Sequence, residues 1–152
     1  MVFRTLEKTG LLPEHLELEI TESVSMESLT MLISKLENLQ SAGIHIALDD
    51  FGTGYSSLSY LQQMPLTTLK VDRTYITQIS DQGNDRSLTR AMVLIGRRMG
   101  LDVVAEGVET VKQLQQVKKS KYDLIQGFYI SRPLPEEEAF ALIQDNKVYD
   151  VH

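Results

Sequence analysis

Cysteine and tryptophan are both absent from these 152 residues. Without thiols there is no disulfide framework and no thiolate metal centre. A bound metal must therefore rely on oxygen ligands or on the three histidines. Basic charge is scarce as well: 15 Lys and Arg face 21 Asp and Glu, a formal net charge of −6, which argues against a surface built to follow the phosphates of a nucleic-acid polymer. A small phosphorylated ligand stays open if cations neutralise it locally. No apolar run approaches the length of a membrane span, and no basic stretch followed by an apolar segment and a small-residue cleavage site opens the chain. These absences predict a cytoplasmic domain, or the cytoplasmic part of a larger protein. What is present, 42% hydrophobic and 24% charged residues, is an ordinary globular composition with enough chain for one core, so residues 1–152 are expected to form a single domain.

The most informative stretch runs from Gly43 to Leu58. Ile44 to Leu48 is a short apolar run after a helix-stopping glycine, and it ends in Asp49, Asp50 and a turn containing Gly52 and Gly54. This reads as a buried parallel strand that delivers charge at its C-terminal end. Alternation puts Ile44, Ile46 and Leu48 on one face and His45, Ala47 and Asp49 on the other, with Asp50 at the lip. The pattern repeats along the chain. Leu16 to Ile20, Leu69 to Asp72, Asp102 to Ala105 and Tyr122 to Ile125 read as strands, and Phe128 to Ile130 is a shorter candidate. Between them, apolar residues at helical spacing predict helices over Met26–Leu39, Leu58–Gln63, Ser87–Met99, a segment capped by Thr110 through Val117, and Glu136–Ile143.

Strands alternating with helices imply parallel β/α units. Glu19, Asp49, Lys70, Glu106 and Gln126 all fall where a strand finishes, and Asp72 shares a face with Lys70. Many polar strand ends meeting at one mouth favour a TIM-like (β/α)8 barrel over an open doubly wound sheet, which uses one or two strand ends at a switch point. A phosphoacceptor receiver domain also combines paired Asp with Lys, but the sequence offers no separate phosphoacceptor Asp on the expected third strand.

Five segments carry a resemblance: Glu19-Ile20-Thr21-Glu22, Asp49 to Leu58, Leu69-Lys70-Val71-Asp72, Val104 to Glu109 and Gln126-Gly127-Phe128. In this order and at these gaps the chain resembles the EAL-domain family of bacterial cyclic-di-GMP phosphodiesterases. The resemblance implies a barrel that hydrolyses one phosphodiester of cyclic di-GMP to give linear pGpG, using two Mg2+ or Mn2+ ions. The family's Glu-Ala-Leu segment and an Asn ligand on the following strand have no counterpart in the sequence, which starts at Met1 after them. The expectation is therefore a C-terminal portion of the EAL domain, truncated to about the last six strands. Its unpaired edges predict a homo-oligomer, or a missing N-terminal segment supplied in trans.

Phosphodiester cleavage needs an activated water and relief of charge on the phosphoryl oxygens, and hard divalent ions held by carboxylates supply both. Glu19 and Asp49 are placed as ligands, Asp50 stands beside the second ion, and Asp72 faces the same mouth. Lys70 is placed to hold the attacking water or a phosphate oxygen. The resemblance implies Glu106 as general base, Gln126 and Glu109 as orienting residues, and Glu22 as the anchor of the loop after Asp50. Plainer roles compete: Asp49-Asp50 as a helix-capping loop, Lys70 as a structural ion-pair partner of Asp72 or a neighbouring acid, and Glu106 and Glu109 as first-turn acids of a helix. The functional alternative is a non-catalytic cyclic-di-GMP-sensing or protein-interaction module of degenerate EAL type.

Overall fold

The alternating pattern folds into a sheet of five parallel strands joined through helices. The structure, a computed structural model, describes residues 1–21, 29–54, 58–78 and 86–145. Helix α1 (Val2–Thr9) ends where Gly10 takes a φ of 70°, and a 3-10 turn at Pro13–His15 leads into β1 (Glu17–Thr21). There follow α2 (Leu29–Ser41), β2 (His45–Phe51), α3 (Leu58–Leu61), β3 (Thr68–Val71), α4 (Arg73–Gln78), α5 (Arg86–Arg98), β4 (Asp102–Glu106), α6 (Val111–Ser120), β5 (Leu124–Gln126) and α7 (Glu136–Gln144). The expected start of α2 at Met26 lies outside the described residues.

Neighbours in sequence are neighbours in space: the strand order is β1-β2-β3-β4-β5, parallel throughout. An open doubly wound sheet would reverse direction at a switch point. This one does not, so it forms an arc of a TIM-like barrel with every C-terminal strand end at the same mouth. The two faces differ as the alternation requires. Leu18, Ile20, Ile46, Leu48, Leu69, Val71, Val103, Ala105 and Ile125 join one apolar cluster with Leu36, Leu61, Ile76, Val93, Leu114 and Val117 of the helices. Each such fully buried Leu, Ile or Val side chain contributes roughly 1.5–3 kcal/mol of transfer free energy. The opposite face is polar, with Glu17, Glu19, Asp49, Thr68, Lys70 and Glu106 standing on it.

Two expectations change. Phe128 to Ile130 is a turn rather than a sixth strand. The Ile130 N–H donates to the Gly127 carbonyl at 3.0 Å and the Tyr129 N–H to the Val108 carbonyl at 2.9 Å, so the backbone bends back onto the β4–α6 loop. Helix α4 begins directly after β3, where no helix was expected, because Asp72 Oδ1 accepts the Thr74 N–H at 3.0 Å and so starts it. The cap expected at Thr110 forms a full capping box with Gln113, whose Oε1 accepts the Thr110 N–H at 2.9 Å. Among the described residues no helix is long and apolar enough to cross a membrane.

Candidate active site

Lys70 lies at the centre of the mouth because β3 is the middle strand, and its polar face is walled in by β2 and β4. Its ammonium is 2.5 Å from Glu19 Oε1, 2.8 Å from Glu106 Oε1 and 3.2 Å from Asp49 Oδ1. Those three acids come from three different strands, and each has the parity that alternation assigned to it. Burial works against the charge on Lys70, but hydrogen bonds to Glu106 and Glu19, the field of Glu106 and the nearby Asp49 carboxylate outweigh it, so the ammonium is held above the ordinary lysine range. Lys70 is thus an ion-pair partner, and its partners are these three acids rather than Asp72.

Asp50 reaches the mouth by a different route. Strict alternation sends it to the face opposite Asp49. The β2–β3 register instead slips between Leu48 and Phe51, and Asp50 takes a φ of 56°. An extra residue inserted in this way re-aims the chain, and Asp tolerates the left-handed region better than most residues. As a result Asp49, Asp50 and Glu106 each offer a carboxylate oxygen within 4.8 Å of the others.

Gathering these acids is costly unless something more than Lys70 compensates them. Burial raises the Glu106 carboxyl above its usual range; Lys70 opposes that shift, and the neighbouring Asp49 carboxylate reinforces it. Asp49 Oδ1 is buried and, although 3.2 Å from the Lys70 ammonium, is outside hydrogen-bonding geometry and has no hydrogen-bond partner. An orphaned carboxylate oxygen beside two further hard oxygen donors fits a divalent cation of the Mg2+ or Mn2+ kind. The residues present therefore fit the metal that the sequence resemblance implied.

The remaining sequence candidates separate. Gln126, exposed at the end of β5, stands opposite Glu106 in the strand register. Asp72 does not join the acidic group. Its carboxylate serves the start of α4, and although burial pushes its pKa up, the hydrogen bonds from Thr74 and Arg73 and the Arg73 charge hold it below the usual carboxylate range. Glu109 also stays outside that group: it is exposed in the β4–α6 loop, where its N–H donates to Gln113 Oε1 at 2.8 Å. Glu22 lies outside the described residues.

Two participants were missed in the sequence. Thr68, buried two residues before Lys70, donates to Glu17 Oε2 at 2.5 Å, repeating one layer lower the bond between β3 and β1 that Lys70 makes to Glu19. Tyr75 of α4 donates its hydroxyl to the Gly52 carbonyl, in the turn that follows Asp50. Thr68 was legible from its parity with Lys70. Tyr75 was not, since α4 itself was not expected.

Comparison with known proteins agrees with this layout. The EAL domain family profile matches residues 2–133. The cyclic di-GMP phosphodiesterase NbdA of Pseudomonas aeruginosa is 44% identical over 134 residues, which is 88% of this chain and 17% of NbdA. The MucR phosphodiesterase of the same organism, solved in complex with c-di-GMP, superposes with a TM-score of 0.85 at 40% identity, covering 91% of this chain and 56% of that one. The manganese and cyclic-di-GMP complex of Klebsiella pneumoniae BlrP1 gives a TM-score of 0.79 at 33% identity, covering 87% of this chain and 34% of that one. The chain thus spans about a fifth of the length of the curated relatives it matches. The expectation of a C-terminal remnant, defined by the lack of a Glu-Ala-Leu segment, is corrected by the family match, which takes in most of the chain from its second residue onward. With five segments in the expected order, the strand ends converging on Lys70 and a profile match over residues 2–133, this chain belongs to the EAL domain family.

Proposed function

We propose that residues 1–152 act as one domain that hydrolyses cyclic di-GMP to linear pGpG with Mg2+ or Mn2+ as cofactor. The observation that carries this reading is the gathering of Asp49, Asp50 and Glu106 within 4.8 Å beside the buried ammonium of Lys70. The similarity to NbdA and to the ligand-bound MucR and BlrP1 structures supports cyclic di-GMP as the ligand. In a two-ion arrangement, Glu19 and Asp49 would hold one cation and Asp50 the other. Such ions supply, when bound, relief of charge on the phosphoryl oxygens and a more acidic water.

The chain's own groups account for the rest. Hydrolysis forms one P–O bond to water and breaks one P–O bond to a ribose oxygen, so a proton must leave the water and a proton from solvent must reach the departing ribose oxygen. Glu106, raised by burial toward the pH range in which a carboxylate accepts a proton effectively, is the general base. Lys70 keeps its charge throughout and offsets negative charge on the phosphoryl group. Gln126, opposite Glu106 in the strand register and exposed, orients the phosphate or the water by hydrogen bonding. With a cyclic dinucleotide as substrate, the proposed location of the domain is the cytoplasm.

The test is direct. The purified chain with Mn2+ and cyclic di-GMP is expected to accumulate pGpG by chromatography, and Glu106→Gln to stop it. Cyclic di-GMP left intact by the wild type under these conditions would defeat the enzyme reading; ligand bound but never cleaved would leave the sensing role in its place.

We further propose that the domain self-associates. The outer edges of β1 and β5 carry no strand partner among the described residues. Beside β1, an apolar cavity of about 630 Å³ is lined by Val2, Leu6, Leu11 and Leu16. Unpaired edges next to apolar surface recruit other chains. Light scattering is expected to return more than the monomer mass of 17.2 kDa, and a monodisperse monomer would contradict this.

A further inference from the structure

The turn after β2 is held in a conformation that an L-residue keeps only where its surroundings impose it. Asp50, at a φ of 56°, opens the turn, and Thr53 closes it by donating its N–H and its hydroxyl to the Asp50 carbonyl at 3.2 and 2.9 Å. Gly52, at a φ of 99°, carries the turn past two side chains that leave no room: a Cβ built there would stand 2.7 Å from Met92 Cε and 2.7 Å from Tyr75 Cε2. On the carbonyl side of the same glycine, the Tyr75 hydroxyl donates a hydrogen bond. Tyr75 belongs to α4, which Asp72 starts two residues after Lys70. The bond therefore ties the end of the strand bearing Lys70 to the turn that aims Asp49 and Asp50.

We propose that Tyr75 is a positioning residue whose hydroxyl, clamped on the Gly52 carbonyl, holds the turn that aims the Asp49 and Asp50 carboxylates into the cation site. The inference rests on the metal-site reading above. The ring alone fills the space against Gly52, and a phenylalanine would do so equally well. What phenylalanine cannot do is hold the carbonyl, and with it the rotation of the Gly52 peptide that follows Asp50 by two residues. Partners that orient metal ligands without touching the metal typically change affinity by about 10–100-fold when removed.

The experiment compares wild type with Tyr75→Phe, which retains the packing and removes the bond. Mn2+ affinity is measured by electron paramagnetic resonance, amide exchange at Thr53 in the metal-free chain, and the melting midpoint alongside. Mn2+ binding is expected to weaken about tenfold, Thr53 exchange to accelerate while β4 amides keep their rates, and the midpoint to fall by no more than about 4 °C. Unchanged Mn2+ affinity, with or without a lower melting midpoint, would reduce Tyr75 to a structural residue and overturn the proposal, as would unchanged Thr53 exchange. If the wild type itself binds no Mn2+, the hydrolase reading fails on its own account, and Thr53 exchange alone decides whether the clamp stands.

Discussion

Two glutamates grip the same ammonium from opposite sides. On the β4 side, Glu106 has a side chain 15% exposed and a carboxyl raised by burial; on the β1 side, Glu19 is 50% exposed and closer to Lys70, at 2.5 Å against 2.8 Å. The shorter bond is the more solvated one. Water screens Glu19, so its proximity to Lys70 adds little energy, whereas Glu106 has little but Lys70 to answer its charge and faces the like charge of Asp49. The difference separates a residue equipped for proton transfer from one equipped to steady a cation, although both hold the same lysine.

Breaking this contrast should produce effects of very different size. Glu106→Gln keeps the shape and removes the base, so turnover of cyclic di-GMP is expected to fall by about 10²–10⁴-fold in a steady-state assay. Lys70→Met, judged by urea unfolding, should cost about 3 kcal/mol of stability, since it leaves Asp49 and Glu106 facing each other without their buried partner; a loss below about 1 kcal/mol would mean that the acids are already relieved by solvent. Glu19→Gln should cost no more than about 1 kcal/mol by the same measurement, as expected for a half-exposed ion pair.

Asp72 supplies an effect of similarly small size and a pH signature. As the cap of α4 it should be worth about 1 kcal/mol against Asp72→Ala. Its folded-state pKa is held below the ordinary value, so that stability is fully present above the unfolded carboxylate pKa of about 3.9 and disappears as the pH falls through the lower folded value. The gap between wild type and Asp72→Ala should therefore stay constant from neutral pH to about pH 4 and close only below it.

These strand ends were legible in the sequence to the extent that they obey alternation. Glu19, Asp49, Lys70 and Glu106 converge because parallel strands in sequential order keep the parity of their side chains, and the sequence displays that parity. Asp50 was legible only as a residue at the lip, because its orientation depends on a bulge and a left-handed φ rather than on strand period. Asp72 is ambiguous in sequence for a related reason: at a strand end followed at once by a helix, one carboxylate suits either a metal or a cap, and in the structure it accepts the Thr74 N–H. Helix α4 left no periodic signal, since six residues with Ile76 as the buried apolar member are too few to show one. Phe128 to Ile130 looked like a strand from its apolar content, but Gly127 lets the chain fold against Val108 so closely that a Cβ there would overlap the Val108 backbone.

That Asp49 and Asp50 hold a cation beside Glu106 and Lys70 is tested most directly by Mn2+ titration followed by electron paramagnetic resonance. The wild-type chain is expected to deplete the free Mn2+ signal at stoichiometric concentrations, and Asp49→Asn, which neutralises the orphaned oxygen, to weaken binding at least about tenfold. A free Mn2+ signal undiminished by the wild-type chain, or equal binding by wild type and Asp49→Asn, would contradict it.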